Sequence, residues 1–470
     1  MTEPVDSARD GAERGAVHGS APLLGGRRVR VHHAVRVAAV VVAGLLLLTT
    51  GAGVWLYAHL NGNLRGLPLF GGATGDAGRE KPDAFGRTPV NVLVIGSDSR
   101  ADPADCALGG DCGPGQNADV EMVVHLSADR SNATVMSVPR DTVTDLPACK
   151  APAGGGVVAA RHDQINSTLR YGPGCTVAAV HQLTGIPIDH FMMIGFDGVV
   201  RMSDAVGGVD VCVDRSVYDP YSHLKLAKGR HTLKGLAALE FLRSRHAFGD
   251  GSDLGRTYAQ HLYLGSLVRR MKATGTLTDP AALYALADAA TKALTVDTGL
   301  DSVPKLLGLA ADLNKVQPSR VTFTTMQSEP DPVNPGRVVV APAAQALFSA
   351  IAADRALTTP DGAKSAVATA LQRAAATPEA MADLESRIAH RDRSARASGA
   401  PPGDVSVAAY AASALPGGSD DSGYDAHAET AGQDTGCASV SPYQTVAVGG
   451  VRMTPSQAFT ASRGVPLSAP

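Results

Sequence analysis

Charge is scarce in this chain. Charged residues make up 19% of its 470 positions, and the formal net charge is only −3. No global field draws in a nucleic acid. Aromatic residues are scarcer still, at 4%, with a single Trp. None of the six cysteines forms a CxxC pair, which removes the usual spacing of a zinc site. No internal repeat is evident, so a solenoid or propeller is not expected. The length leaves room for roughly two or three domains.

The one long uncharged run is Val37 to Ala58, 22 residues. Roughly 20 apolar residues cross a bilayer as a helix. Arg27, Arg28, Arg30 and Arg36 precede the run and no matching basic cluster follows. The positive-inside rule therefore predicts a single-pass anchor in the cell membrane with a cytoplasmic N-terminus. Trp55 and Tyr57 fall at its outer end, where aromatic belts sit. A cleaved signal peptide would have a shorter apolar core followed by a small-x-small site. All six cysteines lie after the anchor, as expected of an oxidising extracytoplasmic space. Cys106 with Cys112, and Cys149 with Cys175, are plausible pairs because each brackets one Gly-rich loop.

Composition divides the rest. Residues 1–36 read as a disordered cytoplasmic tail, 37–58 as the transmembrane helix and 59–88 as a Gly-rich juxtamembrane linker. A dense globular pattern covers 89–355. VNVLVIG, EMVVHLS, ATVMSVP, HFMMIGF, GGVDVCVD and RVTFTTM read as strands. Thr176 to Leu183, FDGVVRMSDAVGG, HTLKGLAALEFLRSR, ALYALADAATKAL and a long segment from Asp253 to about Met271 read as helices. In HTLKGLAALEFLRSR the core-facing set is Leu233, Leu236, Leu239, Phe241 and Leu242. Such mixing predicts an α/β fold, an α-β-α sandwich. Residues 356–399 read as an Ala-rich charged helical segment with a break near Pro378. Residues 400–470, rich in Gly, Ser, Pro and Ala, read as a mostly disordered tail.

Against this pale background, charge concentrates at element ends. Asp98 follows the first strand in IGSDSR, Asp119 opens the second, and Arg140 and Asp141 end the third. RSRHAFGDGSDLGRTYAQ then supplies Arg243, Arg245, Asp253, Arg256 and Gln260. Ligands of α/β sheets bind where loops leave strand ends. If 243–245 is extended, both arginines face one side and can grip two phosphates with planar forks. Asp253 stands where an N-cap would, and Arg256 and Gln260 share a helix face. Asp98 and Asp119 offer oxygen ligands to a hard cation. Taken singly, each residue is an ordinary surface charge or turn residue; their combination points to phosphoryl transfer.

The quoted stretches, with NVLVIGSDSR, ADVEMVVHLSADRSNATVMSVPRDT and HDQINSTLRYG, resemble the LytR-CpsA-Psr family, of actinobacterial type, from about Asn91 to Arg270. The resemblance implies an α-β-α sandwich with a central mixed sheet and a hydrophobic lipid groove. It also implies a metal-dependent phosphotransferase that moves a glycopolymer from a polyprenyl-pyrophosphate carrier to peptidoglycan. Arg140, Arg243, Arg245 and Arg256 would bind pyrophosphate, with Gln164 and Gln260 beside them. Asp98 and Asp119 would bind magnesium or manganese, and Asp253 is the candidate base. Phe191, Met192, Met193, Ile194, Leu239 and Leu242 would help line the groove, or be ordinary core. Three positions depart from the family: Asn117 and Gln164 stand where it often has basic residues, and Glu121 is unusual. Glu121 is then an extra metal ligand or a source of repulsion. The Cys-bearing insert from Ala101 to Gly115 reads as a lid. A polyprenyl-pyrophosphate phosphohydrolase and a non-catalytic lipid-binding regulator are the competing readings. The expected partners are the lipid-linked glycan, peptidoglycan and the membrane, with no nucleic acid.

Overall fold

The computed structural model describes residues 25–109, 112–113, 115–150, 155–273, 279–334, 336–357, 429–430 and 436–469. The chain divides into two units, up to His59 and from Leu60 onward. Helix α1 (Gly25–Asn63) accounts for the first. Its Val35–Asn63 stretch has a mean hydropathy of 2.3 and is long and apolar enough to cross a membrane. The helix starts well before Val37, so the basic segment expected in a disordered tail is helical from Gly25.

The second unit is built on one mixed sheet. Its strands are β1 (Arg65–Leu67), β2 (Val90–Ser97), β3 (Ala118–Leu126), β4 (Ala133–Val138), β5 (His190–Ile194), β6 (Leu294–Asp297), β7 (Val321–Thr325) and β8 (Glu429–Thr430), in the order β1-β6-β5-β2-β3-β4-β7-β8. The β2–β3–β4 meander is antiparallel, whereas β5 joins β2, and β7 joins β4, in parallel. Strand alternation sends Leu93, Ile95, Val123 and Met136 to one face, against Val177 and Val180 of α2 (Pro173–Thr184). Met122, Val135 and Phe323 face the other way, with Leu264 and Val268 of a long helix described next. Helices thus cover both faces, as the sandwich requires.

Besides a single turn at Pro103–Ala107, further helices are α3 (Phe196–Ala205), α4 (Leu236–Arg243), α5 (Asp253–Ala273), α6 (Pro280–Ala293), α7 (Val303–Lys315), α8 (Ala344–Ala352) and α9 (Pro455–Ala461). The helix expected from His231 begins only at Leu236. Gly229–Leu233 is instead a strand paired with Val209–Val213, and Gly235, at φ +53°, makes the break. Leu233 stays buried from that strand, but Leu236 is 50% exposed rather than in the core.

Two segments expected to be loose are part of the domain. The Gly-rich linker lies along the sheet: β1 pairs with β6, and Gly71 donates to the Gly174 carbonyl at 2.9 Å. A Cβ on Gly174 would stand 2.7 Å from the Gly71 nitrogen, so contact is closer than any side chain allows. The end of the chain also folds. Ala438, Val440, Val446 and Ala458 are buried, and a hairpin (Val446–Val448 with Val451–Met453) leads into α9. Low complexity concealed this because main-chain groups make most of the contacts. The Ala-rich helix expected over 356–399 lies, past Leu357, outside the described residues. Disulfides join Cys106 to Cys112, Cys149 to Cys175 and Cys212 to Cys437.

Candidate functional site

The ends of β2 and β4, the start of β3, the C-terminus of α4 and the N-terminus of α5 meet at one edge of the sheet. Arg140, two residues past β4, pairs with the Asp119 carboxylate and lies 3.6 Å from Asp141 and 4.0 Å from Asp253. Arg245 donates to Asp141 at 2.9 Å and lies 3.8 Å from Asp253. Arg256, only 4% exposed, pairs with Asp253 and donates to the Asp119 carbonyl at 3.0 Å. Three arginines from three elements thus converge on Asp253.

Asp253 can do this because it is not the N-cap. Ser252 takes that role: its carbonyl accepts from Arg256 N and its Oγ from Leu254 N. Asp253 becomes the first helical residue, and its carboxylate is released toward the arginines. Arg243 and Arg245 are not two residues of one extended stretch. Arg243 closes α4 and Ser244 is its extended cap. The two guanidinium groups therefore flank the site: Arg245 reaches Asp141, whereas Arg243 lies 4.5 Å over the Phe196 ring and contacts the Leu108 carbonyl at 3.5 Å. Leu108 and Gly109 belong to the insert read as a lid, so that segment covers Arg243. Asp105 of the same segment accepts from Asp197 N at 2.7 Å and pins it to α3.

The two glutamines support the site. Gln164 donates to Asp141 at 3.0 Å. Gln260 donates to the Leu242 carbonyl at 3.0 Å and ties the arginine-bearing end of α4 to α5. Asp98 accepts from both the main chain and the side chain of Asn117. Its nitrogen in turn donates to the Asn117 carbonyl, which sets Asp98 and Asp119 on neighbouring strand ends. Two carboxylates so placed suit a magnesium-sized ion, which takes one or two protein oxygens and the rest from phosphate and water. Among the described residues no group of three His, Cys, Asp or Glu side chains could hold a metal alone.

Glu121 lies buried beneath the site. It is 1% exposed, and neither carboxyl oxygen has a hydrogen-bond partner among the described residues. Burial first, then the charge of Asp253, pushes its carboxyl well above the usual range, against the pull of Arg140. Burial and the neighbouring carboxylate therefore favour its protonated form.

Two arginines escaped the sequence reading. Arg100 lies over the opposite part of the same Phe196 environment, 5.8 Å from the ring, and Arg170 donates to Asn117 Oδ1 at 3.1 Å. Arg100 sits two residues after Asp98, a spacing that could have flagged it. Arg170 has no such signal, because the fold alone brings it to Asn117.

Cations outnumber anions here: Arg100, Arg140, Arg243, Arg245 and Arg256 face Asp98, Asp119, Asp141 and Asp253. Burial, and then repulsion by Arg100, lowers Arg243. Burial also lowers Arg256, against Asp253 and Asp119. Burial would lower Arg140 too, but three aspartates outweigh it and leave its shift upward. The Nε–H groups of Arg100, Arg140, Arg245 and Arg256 are buried and have no hydrogen-bond partner among the described residues. Unsatisfied buried donors are costly. Those of Arg140 and Arg245 stand 3.6–4.0 Å from Asp141 and Asp253, and Arg140, Arg243, Arg245 and Arg256 together form an arginine cradle whose planar forks suit an anion with many oxygens.

Three of the six residues expected along a lipid groove fall into two separate cores. Phe191 and Met193 pack with α2, whereas Leu242 packs against a second core formed by α4, α5 and the 209–233 hairpin. Phe191 and Leu239 are fully buried.

Residues 74–353 match the model of the LytR_cpsA_psr family. The cell wall biosynthesis protein LcpA of Corynebacterium glutamicum is 33% identical over 320 residues, 63% of this chain and 60% of that protein. A polyisoprenyl-teichoic acid–peptidoglycan teichoic acid transferase, TagU of Bacillus cereus, is 29% identical over 191 residues, 40% of this chain and 55% of TagU. The match thus spans less than two thirds of either relative. Among solved structures, a LytR-Csp2A-Psr enzyme from Actinomyces oris aligns with a TM-score of 0.45 at 22% identity, over 63% of this chain and 97% of that one.

Proposed function

The chain belongs to the LytR-CpsA-Psr family, and from that membership we propose that it transfers a glycopolymer from a polyprenyl-pyrophosphate carrier to peptidoglycan. The observation that carries the reading is the convergence of Arg140, Arg245 and Arg256 at one edge of the sheet, with Arg243 at its flank. A pyrophosphate offers enough oxygens to satisfy them together. Relatives named for cell wall biosynthesis and teichoic acid transfer supply the substrate class.

In this reaction an acceptor hydroxyl attacks the phosphorus nearest the sugar. A new P–O bond forms, the bond to polyprenyl phosphate breaks, and the hydroxyl proton passes to Asp253. Arg140, Arg245 and Arg256 hold the spreading charge, and Arg243 does so from the other flank. Asp98 and Asp119 would hold magnesium or manganese, which supplies further charge neutralisation when bound. The arginines before the uncharged run from Val37 and the three disulfides support an anchored protein with its domain outside the cytoplasm.

The test is a transfer assay with the full chain in detergent, a short polyprenyl-pyrophosphate glycan, peptidoglycan oligomers and magnesium. Linked product that vanishes in Arg243→Ala and in Asp119→Ala is expected. Free glycan phosphate without linkage would instead make it a phosphohydrolase. Lipid bound without turnover would make it a binder.

A further inference from the structure

The segment from Ser244 to Gly249 leaves α4 without regular structure of its own, and yet it and the last residue of α4 carry Arg245 and Arg243 of the arginine cradle. It is held from two sides. On one, the fully buried Asp219 accepts from Ser244 Oγ at 2.7 Å and from His246 N at 3.3 Å. On the other lies the end of the chain. Gly249 N donates to the Ser439 carbonyl at 3.0 Å, Ser441 N to the Ala247 carbonyl at 2.8 Å, and Thr445 Oγ1 to the His246 carbonyl at 2.6 Å. Phe248 and Val440 form an antiparallel bridge between them.

This second grip is itself anchored. Cys437 is bonded to Cys212, and Ala438 N donates to the Cys212 carbonyl at 2.8 Å. Val440 N donates to Asp214 Oδ1 at 2.8 Å, and Arg215 returns a bond to the Val440 carbonyl at 3.0 Å. Ala438, Val440 and Ser441 are buried. A side chain on Gly251, at φ +79°, would run into Thr445, so the turn toward Asp253 is shaped around this contact. None of these C-terminal residues lies in the stretch that matches the family, which ends at residue 353.

We propose that residues 438–445 are a positioning strap for Arg243 and Arg245, so that the anion cradle is complete only when the end of the chain is docked. Thr445 is the positioning residue with a side-chain contact to the arginine loop. It touches no substrate and acts by fixing the His246 carbonyl, one residue from Arg245. Misplacing a guanidinium by a fraction of an ångström loses its oxygen partners, and such errors cost on the order of 10- to 100-fold.

The inference rests on the anion-binding reading of the site, and its test separates the two. The full chain is compared with Thr445→Val, Thr445→Ser and the Cys212→Ser/Cys437→Ser pair. Amide hydrogen exchange is followed over residues 246–249, and farnesyl pyrophosphate affinity is measured with magnesium. The expected result is faster exchange in Thr445→Val and in the cysteine pair, with affinity weaker by about tenfold or more. Thr445→Ser, which keeps the hydroxyl, restores both. Unchanged exchange overturns the strap, and so does faster exchange with unchanged affinity. If the unaltered chain binds no farnesyl pyrophosphate, the functional reading fails instead, while the exchange measurement still decides whether the loop is braced.

Discussion

Arg256 donates from Nη2 to the main-chain carbonyl of Asp119, 3.0 Å away, while the same guanidinium pairs with Asp253. One buried side chain therefore joins the start of β3 to the first turn of α5. Its partner carboxylate is only 12% exposed, and without Arg256 its nearest cations are Arg140 at 4.0 Å and Arg245 at 3.8 Å. Arg256→Ala is expected to lose about 3–5 kcal/mol of stability. Urea denaturation checks this, and adding Asp253→Asn to Arg256→Ala should recover part of the loss.

Glu121→Gln is expected to flatten a pH dependence. The folded carboxyl titrates above its ordinary value of 4.5, so the native state holds a proton that the unfolded chain has released. Stability then falls as pH rises from about 4.5 toward the folded value. Relative to the original chain, Glu121→Gln should gain stability as the pH is raised from about 5. Urea midpoints across that range decide it.

His261 runs the other way. It is buried, its Nε2 lies 2.8 Å from Ser137 Oγ, and burial drives its pKa down to about 3. The unfolded ring titrates near 6.5, so stability is full above that value and is lost as pH falls toward 3. His261→Gln should lose about 2 kcal/mol less than the original chain between pH 7 and pH 5. The two groups oppose each other, so each must be compared with its own variant.

Gly174→Ala tests whether the linker belongs to the domain. A helical Ala gains about 0.8–1.0 kcal/mol over Gly, but here the Cβ meets the Gly71 main chain. A backbone clash in a packed site costs about 1–3 kcal/mol. A net fall in thermal midpoint is expected; a rise would mean that the linker moves aside at little cost.

The sheet and the charged site were legible because both leave local marks. VNVLVIG carries the run of apolar residues that a buried strand needs, and Asp98, Asp119 and Arg140 sit where that pattern breaks. What was hidden depended on main-chain contacts or on distant residues. Ser252 looked no more like a cap than Asp253, and only the hydrogen bonds assign them. Arg170 reaches Asn117 across the fold. Residues 436–469 bury few large side chains and hold on through carbonyls and amides, which composition does not record.

The chain is made from its N-terminus, and the segment that grips Ala247 and Gly249 is made long after them. A nascent chain can form the meander and α5 long before Ser439 and Ser441 exist to receive their partners. Maturation of the arginine loop thus waits until Cys437 and the residues up to Thr445 have been made.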